Sequence, residues 1–159
     1  MRVRFVWADS CFFPKTLPVD LCSLGYQNQL CIDFSEIVIS QMRQRYESIP
    51  IEWRVMDVRE MDLPNDHVDL AIDKGTLDAF LYGSMWDPPD EVRANVNKYV
   101  DNVTRVLKSG ARWIYITCRQ PHFIKPLLAR ENWDIEVERL NDDAGGFEYF
   151  VFIMTKHIA

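Results

Sequence analysis

Val68-Asp69-Leu70-Ala71-Ile72-Asp73-Lys74-Gly75-Thr76-Leu77-Asp78-Ala79-Phe80 changes its period halfway. Val68, Leu70 and Ile72 alternate, as in a short buried strand that stays apolar on one side until Asp73. Leu77, Phe80 and Leu81 then form the apolar face of a helix, with Thr76 placed to cap it. The turn between strand and helix carries an acid, a base and a glycine. In an open α/β sheet, ligands sit beyond the carboxyl ends of the strands, so chemistry is expected at this turn.

Upstream of the turn the same alternation of strand and helix repeats. Ile51, Trp53 and Val55 form the inward face of a strand that ends in Asp57. Residues 29–34 form an earlier strand ending in Asp33, and Ser35 caps the helix after it, whose apolar residues Val38, Met42 and Tyr46 fall four apart. Leu17, Leu21 and Leu24 share one face of a helix that Gly25 stops. Residues 2–7 alternate weakly and read as the first strand, with Val3, Phe5 and Trp7 on one face. Its place would be at the sheet centre beside the fourth strand. Left unpaired there, the central edge would favour a homodimer.

Downstream, Pro88-Pro89-Asp90 opens a long helix with Val92, Val96, Tyr99, Val103, Val106 and Leu107 at steps of three and four, stopped by Ser109-Gly110. Residues 112–117 form a fifth strand and 122–130 a short helix. Residues 133–140 and 148–155 alternate as an antiparallel hairpin around 141–146. The expected fold is α/β: a Rossmann-like, mostly parallel twisted sheet with helices on both faces and a C-terminal antiparallel hairpin, in one domain over 1–159.

Composition narrows the function. Hydrophobic residues make up 48% and aromatics 13% of the chain, enough for a packed core. A net charge of -6 argues against general nucleic-acid binding and suits a partner with a basic surface. Cys11, Cys22, Cys31 and Cys118 lack CxxC spacing and have mostly apolar neighbours, so buried free thiols are expected. His67, His122 and His157 are scattered without metal-ligand spacing, so no metal is expected. No apolar run approaches the roughly 18 residues of a membrane span. The N-terminus lacks the apolar core of a signal peptide. A soluble cytoplasmic protein is the expectation.

Three consecutive strands end in Asp33, Asp57 and Asp73, which places three carboxylates along one sheet edge. An acid after the second strand suits the two hydroxyls of a ribose. One after the third can accept from an adenine amino group. Trp53, Trp113 and Trp133 alternate with polar neighbours in strands and read as core rather than as an aromatic cage. Tyr82 and Trp86, in the loop after the central turn, and His122, near the fifth strand end, read as substrate-side residues.

Leu24-Gly25-Tyr26, Cys31-Ile32-Asp33-Phe34-Ser35, Met56-Asp57-Val58, Asp73-Lys74-Gly75-Thr76-Leu77-Asp78-Ala79 and Pro121-His122-Phe123 carry a family resemblance. Over about residues 16–156 the chain resembles the seven-strand (class I) S-adenosylmethionine-dependent methyltransferases, and among them the subgroup that modifies lysine on translation elongation factor 1A. The resemblance implies that Asp33 holds the cofactor ribose and that Asp57 and Val58 meet the adenine, with Phe34, Ser35 and Asp73 also among the cofactor-binding residues. It implies that Asp73 and Lys74 border the methionine end and the substrate channel. Methyl transfer needs positioning and a neutral nucleophile. A lysine with a reference pKa of about 10.4 must first lose its proton, so Asp73 and Lys74 are the candidate catalytic pair.

The chain departs from the family at its beginning. Phe12-Phe13-Pro14-Lys15 stands where such enzymes carry a glycine-rich turn, and no glycine precedes Gly25. The upstream segment of the family is missing too, which makes residues 1–15 atypical. The alternative class is therefore a catalytically degenerate scaffold kept as a binding module. A nicotinamide-dependent oxidoreductase shares Asp33 but needs the glycine fingerprint even more.

Overall fold

The computed structural model describes residues 5–9, 17–140 and 148–158, and in these seven strands form one sheet. In chain order the elements are β1 (Phe5–Asp9), α1 (Leu17–Ser23), β2 (Gln29–Asp33), α2 (Glu36–Arg45), β3 (Ile51–Val55), β4 (Val68–Lys74), α3 (Thr76–Phe80), α4 (Asp90–Val106), β5 (Leu107–Thr117), α5 (Pro121–Leu128), β6 (Trp133–Leu140) and β7 (Tyr149–Lys156). A single 3-10 turn, Val58–Glu60, follows β3. The strand order is β3-β2-β1-β4-β5-β7-β6. Strands β1 to β5 pair in parallel, and β7 runs antiparallel to both β5 and β6. This is the Rossmann-like sheet with its late hairpin that the periodicity predicts.

Strand β1 lies at the centre, with Trp7 opposite Cys31 of β2 and Ile72 of β4. The chain steps outward from β1 to β3, then returns to β4 on the other side. Strand order therefore reverses between β1 and β4, where this class of sheet opens its ligand crevice. The condition for a homodimer, an unpaired central edge, is not met, because β1 is bonded on both sides. Residues 10–16 and 141–147 lie outside the described residues, so the expectations for residues 12–15 and Cys11 fall there too.

Two apolar layers sandwich the sheet. On one face α3, α4 and α5 cover β4, β5 and the hairpin through Leu77, Val96, Val100, Trp113, Ile124 and Phe152. On the other, α1 and α2 cover β2 and β3 through Cys22, Cys31, Ile39, Ile51 and Trp53. Trp53, Trp113 and Trp133 are all core residues, as read from sequence.

Several local readings are corrected. In α1 the buried pair is Pro18 and Cys22, whereas Leu17 and Leu24 are exposed. In α2 Ile39 is the buried residue, and Val38, Met42 and Tyr46 are only half-buried. Ile51 and Trp53 face inward, but Val55 is 42% exposed where β3 leaves the sheet. Helix α4 ends at Val106, so Leu107 starts β5 and Ser109-Gly110 lie within that strand. An irregularity absorbs them: Val68 pairs with Leu107 and Leu70 already with Arg112. Cys22 and Cys31 are buried free thiols, but Cys118 is exposed. Among the described residues, no helix is long and apolar enough to cross a membrane, and no group of His, Cys, Asp and Glu could hold a metal ion.

Candidate functional site

A cleft of about 290 Å³ opens at the carboxyl edge of β2, β3 and β4. Its walls are mostly apolar: Ile32, Met56, Val58, Ala79 and Phe80, with Phe34 at the mouth, 75% exposed. Its polar groups are Asp33, Asp57, Arg59 and Thr76. A mostly apolar cleft with a few converging polar groups is the usual form of a small-molecule site, and its volume lies near the lower end for such sites.

Asp33 ends β2 as a buried residue, and its Oδ1 accepts the Ser35 N–H at 2.9 Å. The Met56 N–H donates to the Asp33 carbonyl at 2.9 Å, tying the exits of β2 and β3 together. Ser35 does not reach the cleft. Its Oγ instead accepts the Val38 N–H and caps α2, as its position before the helix predicts.

Asp57 differs from the free strand-end acid expected. It lies beyond the end of β3 and caps the 3-10 turn, accepting the Arg59 N–H at 2.8 Å on Oδ1. The Arg59 guanidinium turns back on the same carboxylate, with Nε 3.0 Å from Oδ1 and Nη2 2.6 Å from Oδ2. These hydrogen bonds hold the Asp57 carboxyl below its ordinary range, against the smaller effect of burial. Arg59 Nη1 donates to Asn95 Oδ1 at 2.9 Å, and its guanidinium carbon stands 5.5 Å from the centre of the Phe80 ring. One arginine thus joins the acid, the aromatic wall and α4.

Asp73 is withdrawn from the surface altogether and does not line the cleft. Its Oδ1 accepts the Thr76 N–H at 2.9 Å, and its Oδ2 accepts the Leu77 N–H at 3.0 Å and the Tyr99 hydroxyl at 2.9 Å. Thr76 therefore does not cap α3. Gly75 holds that position in a left-handed conformation, and Asp73 supplies the acceptor. Burial pushes the Asp73 carboxyl up to about 7, opposed first by Tyr99 and then by the two N–H groups. Lys74 is half-buried, and its side chain makes no hydrogen bond or ion pair among the described residues.

Asp78, within the central string, is a joint between α3 and the end of β5. Its Oδ1 accepts from Thr117 Oγ1 and from Arg119 Nε, both at 2.8 Å. Arg119 also donates to the Leu81 carbonyl at 3.0 Å and to Met85 Sδ at 3.3 Å, fastening the loop after α3 to the end of β5. On that loop Trp86 meets Phe123 edge-on at 4.8 Å and His122 at 5.8 Å. Tyr82 stands apart from them, its hydroxyl donating to Glu91 Oε2 at 2.9 Å.

Of the residues proposed from sequence, the cleft gathers Asp33, Phe34, Asp57 and Val58; Trp86 and His122 meet elsewhere on the sheet's carboxyl side. Sequence reasoning missed Ile32, Met56, Arg59, Thr76, Ala79 and Phe80 as lining residues. Phe80 was assigned to the helix face, but no period distinguishes an apolar side chain in a core from one in a cleft wall. Arg59 did carry a signal, since an arginine two residues after an aspartate that starts a turn can close on it.

Residues 17–115 match the family model of a methyltransferase domain. The murine EEF1A lysine methyltransferase 4 is 34% identical over 145 residues, covering 89% of this chain and 56% of the relative. The bovine eEF1A lysine and N-terminal methyltransferase is 32% identical over 154 residues, covering 88% of this chain and 22% of the relative. The chain thus spans about half the length of the first of these relatives, and less of the second. A SAM-dependent methyltransferase of Methanosarcina mazei has a similar fold, with a TM-score of 0.71 at 17% identity, covering 100% of this chain and 95% of its own. The N-methyltransferase NodS of Bradyrhizobium japonicum WM9, solved with S-adenosyl-l-homocysteine, gives 0.65 at 14%, covering 97% and 78%. Every cleft residue, from Ile32 to Phe80, falls inside the matched span, and the chain belongs to the methyltransferase-domain family.

Proposed function

We propose that the protein binds S-adenosylmethionine in the cleft and transfers its methyl group to a lysine of a basic protein, by likeness elongation factor 1A. The observation that carries this reading is the juxtaposition of Asp33 with the apolar slot of Met56, Val58 and Phe80. That pairing fits a nucleoside: a carboxylate for ribose hydroxyls beside flat walls for a heteroaromatic base. Asp33, Phe34, Asp57, Val58 and Arg59 would hold the nucleoside half. The bound cofactor supplies an electrophilic methyl on a sulfonium.

The rest is the chain's own work. Asp33 would accept hydrogen bonds from the ribose hydroxyls, and Ser35 keeps its neighbour α2 in place. The clasped Asp57–Arg59 pair offers acceptor and donor atoms at one end of the slot. Asp73 fixes the β4–α3 turn from within, so that Thr76, Ala79 and Phe80 present one wall. Asp73 serves here as a positioning residue, and Lys74 borders the turn. The net charge of -6 favours encounter with a basic acceptor. The free thiols Cys22, Cys31 and Cys118 go with a reducing, cytoplasmic location.

The test is calorimetric titration with S-adenosylhomocysteine, run beside transfer of a labelled methyl to elongation factor 1A. Binding should weaken by one to two decades in Asp33→Ala, as a charged acceptor worth about 1.5–3 kcal/mol is lost. Transfer at a fixed subsaturating cofactor level should fall with it. Wild-type protein that neither binds nor transfers would remove this reading.

A further inference from the structure

Trp86 is 82% exposed, although the loop that carries it is fastened at several points. The Asp87 N–H donates to Ser84 Oγ at 3.1 Å, Arg93 donates to the Pro88 carbonyl at 3.0 Å, and Arg119 grips Leu81 and Met85. A Cβ on Gly83 would meet Pro89 at 3.2 Å, so the loop is also closely packed at its own base. Phe123 and His122, their ring centres 4.0 Å apart and tilted at 47°, both pack against the indole. An aromatic held this firmly and left this open is a recognition surface rather than misplaced core.

Its surroundings select the occupant. Asp87, Asp90 and Glu91 follow the indole directly and all are exposed. Asp87 pairs with Arg93, but Asp90 and Glu91 enter no ion pair among the described residues. Arg119 is neutralised by Asp78 and Arg93 by Asp87, and Lys125 is exposed on α5. An open indole on a loop that runs on into uncompensated acids suits a cationic side chain, which the ring face attracts and the carboxylates steer.

We propose that Trp86, braced by Phe123 and His122, is the docking platform for a lysine- or arginine-bearing segment of the protein substrate. This rests on the methyl acceptor being a basic protein. The segment lies across the indole, and Asp90 and Glu91 orient its positive charges.

The experiment measures binding of immobilised elongation factor 1A to the 159-residue chain, without cofactor, and S-adenosylhomocysteine affinity in parallel. Trp86→Ala should weaken protein binding about five- to tenfold, as expected for losing one partly desolvated cation–π contact. Trp86→Phe should recover part of it, and raising the salt should weaken wild-type binding. Cofactor affinity should be the same in all three proteins, which separates docking from damage to the cleft. Equal binding by wild type and Trp86→Ala overturns the proposal, as does a wild type that binds no basic protein. Trp86-dependent binding without any cofactor affinity would keep the docking surface while removing the enzymatic reading.

Discussion

Tyr99 Oη donates to Asp73 Oδ2 at 2.9 Å between two buried side chains, so α4 is bolted to the end of β4 behind the cleft. Burial, and then Asp73 itself, push the Tyr99 hydroxyl well above its ordinary pKa, so it stays a donor. Tyr99→Phe removes that donor and leaves a buried acid with one partner fewer. The expected loss is about 1–3 kcal/mol of stability, read by urea unfolding. A loss below about 0.5 kcal/mol would show that the bond adds little beyond packing.

The same carboxylate gives the protein a pH signature. Its folded pKa, about 7, lies above the unfolded value of 3.8, so between these limits the native state keeps a proton that the unfolded chain has released. Stability from this group is therefore present at low pH, is lost as pH rises through the window and levels off above about 7. The slope is at most about 1.4 kcal/mol per pH unit. Asp57, shifted the other way, loses its contribution only below its ordinary value and stays outside the window. Asp73→Asn cannot titrate there. From pH 5 to pH 8, unfolding midpoints of the wild type should therefore fall relative to those of the variant. A constant gap would mean that Asp73 ionises as an ordinary carboxylate.

Arg59 allows binding and stability to be separated. Its ion pair with Asp57 leaves both side chains more than a third exposed, so breaking it should cost less than about 1 kcal/mol of folding stability. Its place in the cleft is another matter, because it holds Asp57 and lies over Phe80 at the same time. Arg59→Ala should weaken S-adenosylhomocysteine about tenfold, or about 1.4 kcal/mol. Calorimetry and urea unfolding on one preparation read both effects. Intact affinity would leave the arginine a purely surface role.

What the sequence disclosed and what it hid divide along physical lines. Strand β3 was legible because period-2 alternation survives there, with Ile51 and Trp53 buried on either side of exposed Glu52, and α4 was legible because six buried residues recur at helical steps. Asp33 was legible as a strand-end acid. The fate of Asp73 was not, since the Tyr99 that claims it lies 26 residues away in sequence. Leu107 shows the same limit at a boundary: it continues the helical spacing of α4 but is paired with Val68 as strand. Side chains whose role depends on a distant partner, such as Asp78 with Arg119, leave no local trace.

Gly75 offers the most direct test of how the turn serves the cleft. Its φ of +91° lies in the left-handed region, where an L side chain crowds the following carbonyl at a cost of about 1–2 kcal/mol. Gly75 stands between Asp73 and the two N–H groups that Asp73 caps, and its own carbonyl accepts the Ala79 N–H at 3.1 Å. Strain there must move α3, and α3 supplies Thr76, Ala79 and Phe80 to the cleft wall. Gly25 is the control, with φ +97° and nothing within 4 Å of an added Cβ. It closes α1, with the Tyr26 N–H donating to Leu21 and its own N–H to Cys22, near the opposite end of β2 from Asp33. Gly75→Ala and Gly25→Ala should each lower unfolding stability by about 1–2 kcal/mol. Only Gly75→Ala should also weaken S-adenosylhomocysteine in the calorimeter, and equal affinity in both variants would disconnect the turn from the site.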